Sequence, residues 1–280
     1  MKIPTVNAEL FCRAECTVGE GPFWHEDRLY WVDIFERKLH SCDREGGDMR
    51  ALAVSSDLGA AAPWSDGFIL GTKNGLETLS HGGMTQLLPR SPALTPELRF
   101  NDGKLDPAGR FWCGTTTYEF RAGAGALYRV ERNGDVSCVL EGITLSNGLD
   151  WDKVTSRFYF IDTMTQRVDV FDYDLESGDV SNRRLAFEVP KEFGIPDGMS
   201  CDTAGRLWVA CWGGGHVIGF DPRTGDAVSR IRVPTQLTSS CWVGPDRRLY
   251  ITTARLNLSP ETLLKEPLAG SVFHADLSGL

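Results

Sequence analysis

Residues 99–113 read RFNDGKLDPAGRFWC, and the order of events in that stretch decides the fold. A polar pair closed by glycine, Asn101-Asp102-Gly103, precedes a turn, Asp106-Pro107-Ala108-Gly109, which leads into Phe111-Trp112-Cys113. Turn chemistry followed by alternating aromatic and aliphatic residues signals a hairpin. The same succession of turn, basic or polar residue and strand recurs at Leu29-Tyr30-Trp31-Val32, Phe68-Ile69-Leu70, Phe158-Tyr159-Phe160, Leu207-Trp208-Val209 and Leu249-Tyr250-Ile251, making six copies. Their central residues are separated by 39, 43, 47, 49 and 42 positions, a mean of 44. Six such units take up nearly all of the 280 residues, which leaves no room for a second domain. A period in the forties, with about four short strands per unit, predicts an all-β chain: a six-bladed β-propeller, one domain over residues 1–280.

A propeller has to close, because an open ring leaves strand edges unpaired. Glu9 to Cys16 and Ser271 to Ala275 are both strand-like and each is too short for a blade of its own. The N- and C-terminal strands are therefore expected to complete one blade together. A single helix is predicted after Ser259, with Ser259 as N-cap and Pro260 in the first position.

Composition narrows the functional classes. A hydrophobic content of 41% in a chain of this length excludes intrinsic disorder. The net charge of -9 works against phosphate-backbone binding, so no nucleic-acid partner is expected. No apolar window is long enough for a bilayer-spanning helix, so no membrane partner is expected either. Met1 to Leu10 lacks the basic and apolar regions of a secretion leader, so the chain is expected to be cytoplasmic. The eight cysteines, at 12, 16, 42, 113, 138, 201, 211 and 241, include no Cys-x-x-Cys pair and no histidine at zinc-ligand spacing. They read as small buried hydrophobes kept reduced. Oligomeric state leaves no trace in the sequence.

Counting back five residues from the turns at His25, Asp106, Asp152, Asp202 and Gly244 gives Glu20, Asn101, Asn147, Asp197 and Ser239, with Gly59 nearby in the less regular second repeat. Equivalent positions in a closed ring face one axis, so Glu20, Asn101, Asn147 and Asp197 are expected to converge at one end of the channel. Each Asx-Gly pair taken singly is also a common turn, but four polar residues in phase with a repeat defined by other residues point to a site. Gly21, Gly103, Gly148 and Gly198 follow closely and would let backbones approach. Two carboxylates and two carboxamides form a hard-oxygen set suited to one divalent cation. Two places earlier the repeats read Val18, Arg99, Leu145, Ile195 and Leu237, and the lone Arg99 either binds an oxygen-rich substrate through its forked donors or pairs with a loop carboxylate such as Glu97. Nucleophile schemes lack their parts: there is no Gly-x-Ser-x-Gly elbow, and His25, His40, His81, His216 and His274 all miss the aligned positions.

Gly19-Glu20-Gly21-Pro22, Arg99 to Lys104, Ser146 to Trp151, Pro196 to Met199 and Thr253-Ala254-Arg255 resemble the regucalcin (senescence marker protein) and gluconolactonase family, and the likeness runs from about Gly19 to Phe273. The resemblance implies a hydrolase of carboxylic esters that opens a sugar lactone with one divalent metal, Ca, Mg, Mn, Zn or Fe. It implies Glu20, Asn147 and Asp197 as metal ligands and Arg99 and Asn101 as substrate contacts. Glu119 falls where the family places a further substrate contact, although its neighbours Thr116, Thr117 and Tyr118 depart from the animal members. The expected chemistry is polarisation of the lactone carbonyl by the metal, with Asp197 as general base for the attacking water. Two alternatives use a similar ring: a calcium-dependent phosphotriesterase or arylesterase, and a non-enzymatic calcium-binding regulator.

Overall fold

The computed structural model describes residues 3–80 and 82–280; Met1 and Lys2, part of the stretch read for a leader, and His81 lie outside them. Six sheets, five of four strands and one of five, each built on four antiparallel strands, stand around one channel, as the repeat predicts. The six repeated motifs each fall on the second strand of a sheet, and the strand before each one lines the channel. These inner strands are Gly19–His25, Leu58–Trp64, Leu98–Leu105, Ser146–Asp152, Ile195–Cys201 and Thr238–Val243, in blades 1 to 6. Each packs against the next, and the last packs against the first.

The turn residues explain why the repeat folds as it does. Asp106 Oδ1 accepts the N–H groups of Ala108 and Arg110, both at 2.9 Å, which fixes the hairpin. Its Oδ2 accepts Arg110 Nε (2.6 Å), Trp112 Nε1 (3.1 Å) and Tyr173 OH (2.7 Å) from the next blade. Asp202 repeats the device with Ala204, Arg206 and Trp208. One carboxylate thus shapes the turn and satisfies an indole that is itself fully buried. Truncating either indole to Ala removes its burial and leaves a cavity, at a cost of about 3–5 kcal/mol.

Closure occurs where the sequence places it. Glu9–Cys12 pairs antiparallel with Val272–Asp276 and becomes the outermost strand of blade 6. The strand stops at Cys12, short of the expected Cys16, and the chain beyond is held by Ser271 Oγ, which accepts Ala14 N (3.2 Å) and donates to Ala14 O (3.0 Å). One strand was not anticipated: Thr5–Asn7 lies parallel to Asp226–Arg232 as a fifth strand of blade 5. The helix Pro260–Lys265 forms as expected, with Ser259 Oγ accepting Thr262 N at 3.1 Å. Six cysteines are buried, but Cys138 is exposed and Cys201 half-buried, so the reading of all eight as buried hydrophobes holds for six. No helix among the described residues is long and apolar enough to cross a membrane.

Every inner strand contains one more residue than its partner across a short interval: at Glu20/Phe23, Leu58/Ala60, Phe100/Gly103, Ser146/Leu149, Pro196/Met199 and Thr238/Ser240. Such bulges bend a strand and re-aim side chains. Here they fall on the positions that the repeat alignment singles out, and the Asx-Gly pairs lie in bulged strands rather than in turns.

Candidate functional site

The bulges bring side chains from four blades together. Glu20, Asn101, Asn147 and Asp197 are 4%, 5%, 3% and 7% exposed, so the expected ring is buried. Asn101 Nδ2 donates to Asn147 Oδ1 (3.2 Å) and to Ser146 O (2.8 Å). Asn147 Nδ2 donates to Thr163 Oγ1 (2.9 Å), which in turn donates to Pro196 O (2.9 Å). This chain fixes the amide orientation of Asn147 and ties blade 4 to blade 5 beside Asp197. Glu20 Oε2 accepts Gly21 N at 3.0 Å, whereas Asp197 accepts no backbone N–H among the described residues and is met by the side chain of Asn147.

Two blades contribute no side chain to the ring, for visible reasons. A Cβ at Gly59 would lie 2.4 Å from Phe100 O and 2.6 Å from Asn101 O, so blade 3 presses directly on blade 2 there. The Ser239 hydroxyl is turned away and donates to Gly19 O (2.5 Å) across the closing seam. Gly148 and Gly198 serve close approach as expected, with neighbouring atoms 2.7 Å and 2.1 Å from an added Cβ. Gly21 does not: nothing lies near it, and its role is a positive φ of 49° that L residues rarely adopt.

Burial and mutual repulsion disfavour the charged forms of the ring carboxyls. Burial, then the charges of Asp197 and Asp102, push the Glu20 carboxyl well above the usual carboxylate range. Burial and Asp102 do the same to Asp197, opposed by Asn147 and Arg99. Asp102 itself is pushed up to about 6 by burial, with Lys104 pulling it down. The Glu20 and Asp197 carboxylates in one desolvated channel, with the Asn147 carboxamide oxygen beside them, form a donor set that fits a hard divalent ion.

Asp102 is the residue that sequence reading missed. It stands next to Asn101 inside the bulge, in a strand that also carries Arg99 and Lys104, and it is buried.

Arg99 lies above the ring, 5% exposed. Its Nη1 donates to Asn101 Oδ1 (2.5 Å) and Phe100 O (3.1 Å), while Nε is buried without a partner. Glu97, the alternative partner, pairs instead with Arg121 at 2.7 Å, and Arg99 has no ion pair among the described residues. The rings of Phe35 and Tyr118 flank its guanidinium at 5.6 Å and 5.8 Å, and Tyr118 OH donates to Asp57 Oδ2 (2.6 Å). These rim residues were also beyond the sequence reading. Glu119 is exposed on the adjoining hairpin and makes no hydrogen bond or ion pair among the described residues.

A second cluster, Cys16, Asp33 and His40, has ligand atoms within 4.8 Å of one another. Two of its three groups are already committed. Asp33 accepts Thr17 N (2.9 Å) and Val18 N (3.2 Å), as Asp162 does for Thr144 and Leu145 in blade 4. Trp31 Nε1 donates to the Cys16 sulfur (3.3 Å), and burial pushes that thiol up to about 12, which keeps it protonated. The cluster is a node that anchors blade 1.

The fold and the buried ring of oxygen donors across its channel place the chain in the class of six-bladed β-propellers. The chain belongs to one family within it: residues 18–255 match the SMP-30/Gluconolactonase/LRE-like region. A Bacillus subtilis (strain 168) protein named "Putative sugar lactone lactonase YvrE" is 37% identical over 279 residues, spanning 97% of this chain and 95% of that protein. Human regucalcin is 36% identical over 281 residues, spanning 96% and 94%. Among solved structures, the calcium-binding protein regucalcin of Agrobacterium tumefaciens str. C58 superposes with a TM-score of 0.90 at 27% identity, covering 98% of this chain and 95% of its own.

Proposed function

We propose that this chain, as one propeller domain, is a metal-dependent hydrolase that opens an aldonolactone to the sugar acid. One observation carries the reading: a ring of buried carboxylates needing a cation lies directly beneath an arginine whose Nε has no partner. Family membership and the lactonase name of the Bacillus relative support the substrate class, and the calcium-binding description of the Agrobacterium protein supports a divalent ion.

Glu20, Asn147 and Asp197 would hold the ion. When bound, Ca, Mg, Mn, Zn or Fe supplies Lewis-acid polarisation of the carbonyl and charge against the developing oxyanion. Arg99 directs its free donors at substrate oxygens and Asn101, braced by Arg99, orients the ring hydroxyls. Asp197 takes the proton from the attacking water, because its oxygens carry no backbone donor while Glu20 already accepts one. Glu119 and Tyr118 shape the rim of the site.

The test is acid release from a panel of aldonolactones by chelated protein reloaded with single metals. A rate that rises for one sugar and one ion supports the reading. Preference for a phosphotriester under the same metal favours the esterase alternative, and inertness of the loaded protein toward every lactone favours a binding role. Full lactonase activity in metal-loaded Asp197→Asn would refute the general-base assignment.

A further inference from the structure

Beyond the ring, toward the hairpin turns, the channel widens into a cavity of about 280 Å³ bordered by all six inner strands. Its polar floor comes from three neighbouring blades. Lys104 Nζ donates to Asp150 Oδ2 and to Met199 O, each at 2.9 Å. Asp150 is otherwise satisfied by Trp151 N and Cys201 N. Asp102, 5% exposed and lining the same cavity, accepts Gly103 N on Oδ1 (2.7 Å).

An ammonium group held by a carboxylate and a main-chain carbonyl, with a second carboxylate, that of Asp102, lining the same cavity, occupies a position that oxygen-loving cations favour. We propose that Lys104 is a tethered cation filling a second divalent-ion position formed by Asp102, Asp150 and the Met199 carbonyl, and that it thereby limits the channel to one ion. The charge count agrees. Short of the turns, the inner strands carry four carboxylates, Glu20, Asp102, Asp150 and Asp197, against two cations, Arg99 and Lys104. The remaining two negative charges match one divalent ion. Without Lys104 the deficit grows to three, more than one divalent ion neutralises, and the cavity has room for a further ion with several waters, each taking about 30 Å³.

The inference rests on the ring reading for the first ion, and the experiment separates the two. Chelated wild type, Lys104→Ala, Lys104→Gln, Lys104→Arg, Lys104→Ala/Asp150→Asn and Glu20→Gln/Lys104→Ala are titrated with Ca²⁺ by calorimetry, after circular dichroism confirms folding. Expected stoichiometries are one for wild type and Lys104→Arg, two for Lys104→Ala and Lys104→Gln, and one for each double variant. Tb³⁺ luminescence, sensitised by Trp24, Trp151 and Trp242 around the cavity, should rise in Lys104→Ala and fall back when Asp150→Asn is added. A single ion in folded Lys104→Ala or Lys104→Gln overturns the proposal and leaves the ring intact. No ion in wild type but one in Lys104→Ala overturns the ring reading and supports the masked site. No ion in any variant overturns both.

Discussion

Thr163→Val is the sharpest probe of how the site is held together, because it removes one hydroxyl and preserves shape. Thr163 Oγ1 accepts Asn147 Nδ2 and donates to Pro196 O, both at 2.9 Å, and it is 5% exposed. Valine leaves a buried amide N–H and a buried carbonyl unpaired, each at about 1–3 kcal/mol, lessened where the neighbours relax. A loss of about 2 kcal/mol corresponds to roughly 4–8 °C in Tm for a chain of this size. The larger consequence is for the ion. Asn147 is no longer fixed with its oxygen toward the ring, and the loss of a hydrogen bond that orients a ligand typically costs about 10–100-fold in metal affinity. Thr163→Ser restores the hydroxyl and should recover both properties. Calorimetric titration with Ca²⁺ or Mn²⁺, and melting curves with and without metal, measure the two effects. If Thr163→Val binds metal within about twofold of wild type while melting lower, the hydroxyl supports only the fold, and the account of Asn147 as an oriented ligand fails.

Three further outcomes follow from the geometry. Arg99→Lys keeps a charge but loses the fork; losing charge-assisted bonds worth about 1.5–3 kcal/mol should lower kcat/KM by about 10–150-fold, with calorimetric metal affinity unchanged, and a parallel loss of metal would contradict its role as a substrate contact. The raised Glu20 and Asp197 carboxyls mean that the folded metal-free chain prefers their protonated forms; its stability should fall as pH rises from the ordinary carboxylate range through the raised values, with Asp102 contributing near about 6, while metal affinity rises over the same window because binding requires ionised ligands. Calorimetry in buffers of different ionisation heat should register proton release, and a pH-independent Kd would contradict the sign. Ser271→Ala removes the hydroxyl that bonds both main-chain groups of Ala14, at about 1–3 kcal/mol, and should expose the N-terminal segment to proteases before the rest of the chain; unchanged cleavage would show that closure does not depend on that seam.

Local chemistry made much of this readable in advance. A turn Asp, an arginine and an indole at fixed offsets are tied by hydrogen bonds within one hairpin, so Asp106 to Trp112 and Asp202 to Trp208 announce themselves in any single copy. The ring was readable because all six bulges fall in phase. Asp102 was not, because period-two alternation sends consecutive side chains to opposite faces, whereas a bulge lets Asn101 and Asp102 both reach the channel. Thr163 lies 16 residues from Asn147 on another hairpin and meets it only through the fold. The Tyr118 bond to Asp57 likewise joins loops of different blades. Three residues at Thr5–Asn7 are too few for any periodicity to register.

The ring is in turn a consequence of closure. Glu20 belongs to blade 1, while Asn147 and Asp197 belong to blades 4 and 5, so the two halves of the ligand set are joined on one side by blades 2 and 3 and on the other only through blade 6. That second route is held by Ser239 Oγ on Gly19 O, one residue from Glu20, and by the bridge between Val18 and Ala254. Blade 6 itself depends on the N-terminal strand Glu9–Cys12 for its outer edge. An ion held by Glu20 and Asp197, as proposed, would draw together blades on either side of the seam, and its binding free energy would add to the stability of the closed ring by mass action. Conversely, a loosened seam moves Glu20 away from Asp197 and relieves the repulsion that makes the ion necessary. On the proposed ligand set, metal affinity and closure would be two readings of one equilibrium, so a substitution at Ser271, far along the chain from Glu20, Asn147 and Asp197, should weaken metal binding as well as the fold.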